Sequence, residues 1–225
     1  MTMSSSPHRF TRFGFVNAWL VEEDDGLTLI DTTMKGAGKK ILAAADGLGA
    51  PIVRIVLTHA HGDHIGALDE LAAALPEAEV IISTRDARLL HKDMSLDPDE
   101  PERKLSGSYP GAETVPSRTV QHGDRIGSLE VVATPGHTPG HIALLDPRDR
   151  TLYCGDVYST LGGVASSAKA NPRFPLVRMG TWSPEIDLES ARILRALDPA
   201  RLAPGHGKLV EAPGAAMDAA IARVD

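Results

Sequence analysis

Apolar and polar positions along this chain switch between two periods, and the switches mark its elements. The runs "FGFVNAWLV" and "LTLID" flank "EEDDG". Asp25-Gly26 is a strong turn pair, so the pattern predicts a β-hairpin. "KKILAAADGLG" puts Ile41, Leu42, Ala45 and Leu48 on one helical face, with Gly49 as its stop. "IVRIVLT" is a β-branched run that reads as a buried strand. "IGALDELAAALP" returns to helical spacing through Ile65, Leu68, Leu71 and Leu75, and "AEVIIST" is again a strand. The result is a strand–loop–helix–strand unit whose loop is polar. Open α/β sheets carry their ligands at such strand ends.

Residues 93–117 are rich in Pro, Gly, Ser and charge and predict a long loop. Beyond it, strands are expected near Leu129–Thr134, Ile142–Leu145 and Thr151–Cys154. A helix follows from Glu185 to Leu197, with Ile186, Ile193, Leu194 and Leu197 on one face and the small Ser190 between them. The short run "RLAP" and a final helix from about Ala215 to Val224 complete the pattern. Both halves, about 1–110 and 118–225, read as strands followed by helices within one α/β domain spanning 1–225. No periodic repeat or low-complexity tract interrupts them.

Composition narrows the class. The 225 residues are 42% hydrophobic, enough for a full core. The formal net charge of −7 disfavours nucleic acid as a partner. Cys154 is the only cysteine, so no intrachain disulfide can form, which fits a reducing compartment. "MTMSSSPHRF" lacks the pattern of a signal peptide. No stretch approaches the ~20 apolar residues of a membrane helix. The expectation is a soluble, cytoplasmic protein without membrane contact.

Candidate chemistry sits in "LTHAHGDHIG". His59 and His61 are two apart, so in an extended segment they share one face. Gly62 permits a tight turn, and Asp63 and His64 follow at the mouth of the next helix. Four ligands within six residues are hard to fold around one tetrahedral ion, so further ligands are expected elsewhere. "ATPGHTPGH" supplies His137, "LYCGDVY" supplies Asp156 and "LAPGHG" supplies His206. Each follows a predicted strand and is flanked by Gly or Pro. Five His and two Asp suit zinc, iron or manganese. His8, His91 and His122 lie in polar surroundings and read as solvated.

This arrangement resembles the metallo-β-lactamase-fold superfamily: Asp31 in "LTLIDTT", then "HAHGDH", His137, Asp156 and His206, in order over nearly the whole chain. The resemblance implies a four-layer αβ/βα sandwich with metals at one edge between two sheets. It implies that His59, His61 and His137 hold one divalent ion, and that Asp63, His64 and His206 hold a second. Asp156 would bridge the two, and Asp31 would hold the loop without touching metal. Zinc is the first expectation, with iron or manganese as alternatives. His141 is expected behind the metal ligands rather than among them.

Two metals roughly 3.5–4 Å apart can share a water and lower its pKa, which generates a hydroxide nucleophile. Asp63 is the candidate to orient that water and carry its proton to the leaving group. Tyr158 is a candidate oxyanion donor. Phe174, Met179 and Trp182 are candidates for a substrate wall, and Trp19 and Cys154 for core. The expected function is metal-dependent hydrolysis of a small-molecule ester, lactone, thioester or amide. β-Lactam hydrolysis, as main or side activity, and an iron-dependent oxidoreductase on the same scaffold are the alternatives. Quorum-signal lactonases of this superfamily carry a Tyr three residues after the bridging Asp, where this chain has Ser159. "GHTPGH" resembles glyoxalase II-like thioesterases, but those carry a C-terminal helical region that grips glutathione, and about 19 residues follow His206 here. A homodimer is left open, with loops 93–117 and 159–183 as candidate pocket walls or dimer surface.

Overall fold

A computed structural model describes residues 7–224. The leader expectation rests in part on residues 1–6, which lie outside the described residues. Six strands form one mixed sheet in sequence order: β1 (His8–Arg12), β2 (Val16–Glu23), β3 (Gly26–Ile30), β4 (Ile52–Val56), β5 (Glu79–Ser83) and β6 (Arg118–Val120). A second sheet contains β7 (Arg125–Ile126), β8 (Leu129–Ala133), β9 (Ile142–Asp146), β10 (Thr151–Gly155), β13 (Arg201–Pro204) and β14 (Val210–Glu211), in the order β14-β13-β10-β9-β8-β7. A small ribbon, β11 (Tyr158–Ser159) with β12 (Ala165–Ser166), follows β10.

Side-chain alternation along the strands builds the layers. On β2, Trp19 and Val21 point into a core shared with Ile142 and Leu144 of β9 and Tyr153 of β10, so this core lies between the sheets. Ala18 and Leu20 point the other way. That outer core is closed by α1 (Gly38–Leu48), α2 (Gly62–Ile65), α3 (Leu68–Ala74) and α4 (Thr84–Leu90), through residues such as Ile41, Ile65, Leu71 and Leu89. On β9, Ala143 and Leu145 face a third core. Beyond a short α5 (Leu176–Gly180), α6 (Pro184–Ala196) and α7 (Gly214–Ala222) close it with Leu194 and Met217. The order helix–sheet–sheet–helix is the four-layer sandwich expected from the sequence.

Three expectations shift locally. The hairpin turn is Asp24-Asp25, and Gly26 already belongs to β3. The helix through Ile65 to Leu75 is two pieces, because Gly66 packs against the backbone of Met34 and Lys35. The buried face of α6 is Asp187, Ser190, Ala191 and Leu194, whereas Ile193 is 47% exposed. A polar contact turns the helix: Ser190 Oγ donates to the Pro135 carbonyl at 2.6 Å. Gly136 approaches the Asp187 backbone so closely that a Cβ there would collide with it. α6 thus docks on the loop that carries His137, not by its most apolar stripe.

Candidate metal centre

β3 and β4 run parallel, as do β10 and β13, and β8 shares their direction because both β8 and β10 pair antiparallel with β9. Asp31, His59, His61, His137, Asp156 and His206 all follow the carboxyl ends of these strands. The sandwich therefore gathers them at one edge. His59, His64, His137 and His206 are buried there at 3% exposure or less, and His61 at 5%.

The groups behind the imidazoles orient them. Thr58 Oγ1 donates to Asp31 at 2.9 Å and so accepts from His59 Nδ1, also at 2.9 Å. His64 Nδ1 donates to Asp31 at 2.8 Å. Thr181 Oγ1 donates to the Val177 carbonyl and accepts from His137 Nδ1 at 3.1 Å. His206 Nδ1 donates to the Phe15 carbonyl at 3.2 Å. His61 is reversed: its Nε2 donates to the Ser106 carbonyl at 3.0 Å. The network thus fixes each outer nitrogen as a donor and turns the other nitrogen inward. Four Nε2 atoms and one Nδ1 converge.

Those inner atoms form sets. One ligand atom from each of His59, His61 and His137 lies within 4.8 Å of the others, and Asp63, His64 and His206 form an equivalent set. Asp156 reaches between them: Oδ1 is 3.4 Å from His64 Nε2, and Oδ2 is 3.4 Å from His137 Nε2 and 3.2 Å from His206 Nε2. His59 Nε2 and Asp156 Oδ1 are buried with no hydrogen-bond partner. Orphaned buried acceptors are costly, and a cation between them would satisfy both. The donor set fits divalent metal.

Electrostatics point the same way. Burial, followed by repulsion from neighbouring histidines, holds His59 well below the ordinary histidine range. Burial likewise depresses His137 and brings His61 down to about 4. These shifts favour the neutral form of all three rings, the form a metal ligand needs. Burial also opposes charge on His64, but Asp156, Asp31 and Asp63 outweigh it and raise its pKa. For His206, Asp156 overcomes burial and lifts the ring to about 9. Three carboxylates therefore demand positive charge from protons or from metal.

A cavity of about 290 Å³ opens onto this centre, lined by Phe15, His61, Asp63, Phe174, Met179 and His206 among others. Two larger clefts, of about 600 and 670 Å³, lie away from the histidines. Phe174 and Met179 thus stand where a substrate wall was expected. Trp182 does not: its indole donates to the Arg103 carbonyl at 2.9 Å and it is 2% exposed, so it pins the 93–117 loop. Tyr158 does not reach the cavity either. Its hydroxyl donates to the Ala191 carbonyl of α6 at 2.8 Å, which excludes the oxyanion role expected for it. His141 stands behind Asp156, with Nδ1 on Thr134 Oγ1 and Nε2 accepting from the Asp156 amide at 3.1 Å. Both its nitrogens are occupied. His91 and His122 are exposed, and His8 is half-buried against Glu22.

The sequence reading missed several contributors. Asp86, at the start of α4, accepts from Ala60 N, Gly140 N and Thr138 Oγ1 at 2.7–2.9 Å and ties the two histidine loops together. Its signal was the "STRD" stretch, where Ser83 Oγ caps the helix by accepting from the Asp86 amide. Arg85 grips Glu100 with two hydrogen bonds, at 2.6 and 2.8 Å, which fixes the loop that brings Ser106 to His61. Asn17 donates to the carbonyls of Pro204 and Gly207 and so frames His206 from the first hairpin. Gly205 leaves space that a Cβ would take from Asp156 and His64.

Residues 11–206 match the model of the metallo-beta-lactamase superfamily. The chain is 44% identical over 207 residues to the uncharacterized protein YobT of Bacillus subtilis, covering 92% of this chain and 89% of that one. It is 38% identical over 126 residues to a hydroxyacylglutathione hydrolase of Rhodospirillum rubrum, covering 54% of this chain and 40% of that relative. Among solved structures, TTHA1623 in a di-iron-bound form superposes with a TM-score of 0.68 at 28% identity, over 93% of this chain and 96% of that one. The chain therefore belongs to the metallo-beta-lactamase superfamily.

Proposed function

We propose that the protein hydrolyses a small-molecule ester, lactone, thioester or amide with two divalent ions, zinc first. The observation that carries this reading is the convergence of five inward imidazole nitrogens and two carboxylates at the base of an open cavity. His59 Nε2, His61 Nδ1 and His137 Nε2 would hold one ion. Asp63, His64 Nε2 and His206 Nε2 would hold the other, with Asp156 shared. Bound there, the ions supply Lewis-acid polarisation and a water of lowered pKa. The di-iron form of the neighbour at 28% identity supports iron as an alternative occupant.

The protein's own groups do the rest. The side chain of Asp63 is 38% exposed, against 4% for Asp156, so Asp63 is the carboxylate that faces substrate. Asp63 Oδ2 lies 3.4 Å from His206 Nε2 and 3.9 Å from His64 Nε2. Oδ1 is left to take a proton and pass it to the leaving group. Ser106 and Tyr109 hold His61 from behind, at 3.0 Å through Nε2 and at 4.7 Å between rings. The buried partners of the other rings keep the site rigid and exclude water from its back wall.

The test is a substrate panel run on metal-loaded protein: an aryl ester, a lactone, a thioester, a β-lactam and a phosphodiester. One class is expected to turn over. His61→Ala is expected to lose more than the ~10–100-fold typical of losing an outer partner of a ligand. Full metal loading with no cleavage, together with oxygen uptake, would overturn the hydrolytic reading in favour of iron redox chemistry.

A further inference from the structure

The cavity over the histidines carries charge only at its base. Phe15, Phe174, Leu176, Val177 and Met179 make one continuous side of its wall, Ser108 with Gly107 and Gly180 completes it, and no lysine or arginine is among the described residues lining it. Phe174 lies 5.2 Å from the His206 ring and meets Phe15 edge-on at 5.8 Å. Leu176 and Met179 continue outward on α5, three residues apart and so on one face. They are 57% and 69% exposed. An apolar track thus runs from the metal ligands to solvent. Of the nearby cations, Arg173 donates to the Gly162 carbonyl at 3.0 Å, Arg103 pairs with Glu185 at 2.9 Å, and Arg178, half-buried on α5, lies within electrostatic reach of the buried Asp187.

We infer that the substrate is uncharged beyond its reacting carbonyl and lays an alkyl or aryl acyl tail along Phe174, Leu176 and Met179. This rests on the hydrolytic reading above and sharpens it. Each methylene moved from water onto the wall is worth about 4-fold in kcat/KM. A tail ending in carboxylate gains little of this. It gives up hydration against Leu176 and Met179, and the cavity lining offers it no lysine or arginine in return.

The experiment uses the full, metal-loaded chain and a matched acyl series in whichever class the panel selects. For esters these are p-nitrophenyl acetate, butyrate and hexanoate, with the mono-p-nitrophenyl ester of adipic acid as the carboxylated match to hexanoate. A rise in kcat/KM of at least ~10-fold from acetate to hexanoate is expected, with the adipate ester at least ~10-fold below hexanoate. The double variant Leu176→Ser/Met179→Ser is expected to flatten the series, and Met179→Lys to favour the adipate ester. A flat wild-type series, or equal rates for hexanoate and adipate esters, overturns the inference while leaving the hydrolase intact. If no member of any class is cleaved, it is the hydrolytic reading that fails, and the wall is then read by fluorescence of the neutral dye Nile red. Binding that the double variant loses supports the apolar track, and equal binding by both proteins overturns it.

Discussion

Each inward nitrogen of the cage is set by one atom behind it, and Asp31 serves two of them. Its carboxylate accepts from the Thr58 amide and hydroxyl and from His64 Nδ1, while its backbone holds a φ of +60°. Asparagine tolerates that conformation. Asp31→Asn should therefore fold, but its amide would put a donor where His64 Nδ1 needs an acceptor. The ring would then change tautomer and lose its inward lone pair. Metal affinity is expected to fall by about 10–100-fold with far-ultraviolet circular dichroism unchanged. Competition against a chromophoric chelator measures it, and wild-type affinity in the variant would refute this role.

At the scale of elements, α4 matters more than its seven residues suggest. Asp86 joins the loop after β4 to the loop after β8, and so one sheet to the other. Burial pushes its carboxyl up to about 6 against the pull of Thr138, Ala60 and Gly140. Because the folded-state pKa lies above the unfolded value, the folded protein holds an extra proton between about pH 4 and 6. Stability relative to Asp86→Asn should therefore fall as pH rises through that window, by on the order of 2–3 kcal/mol, and stay flat above it. Urea unfolding of both proteins at pH 4.5 and 7 reads the difference, and a constant offset would sink the assignment.

Elements also show how far the sequence could be read. The metal-ligand candidates were legible because each ends an apolar run and is bounded by Gly or Pro. Most helices and strands followed from periodicity. Directions set by tertiary contact were not legible. Tyr158 follows a turn in which the Val157 amide donates to the Cys154 carbonyl, so the period-2 rule that would have kept Tyr158 beside Asp156 is broken there. α6 buries Asp187 and Ser190 because the His137 loop faces them. Trp182 looked like a wall residue in a loop, but its indole found the Arg103 carbonyl. α4 was missed because only seven residues separate β5 from the next loop.

For the whole molecule, the proposed ions act as cross-links between sheets. His59, His61, Asp63 and His64 come from the first sheet's loops, and His137, Asp156 and His206 from the second's. Ligands that bind only the folded state stabilise it by mass action, about 4 kcal/mol at a thousandfold excess over Kd. Stripping metal with a chelator is expected to lower Tm by several degrees, and restoring zinc to recover it. Scanning calorimetry checks this, and an unchanged Tm with metal removal verified would argue against a bridging site.

The hydrogen bond from His206 to the Phe15 carbonyl spans 191 positions of sequence. Asn17 adds two more contacts over similar spans. During synthesis, residues emerge one after another at about 5–20 per second. The first hairpin therefore waits through those 191 positions before its partner leaves the ribosome. A nascent chain that has not yet reached His206 cannot close the cage. The ligand set that contains His206 is therefore the last part of the cage to be completed.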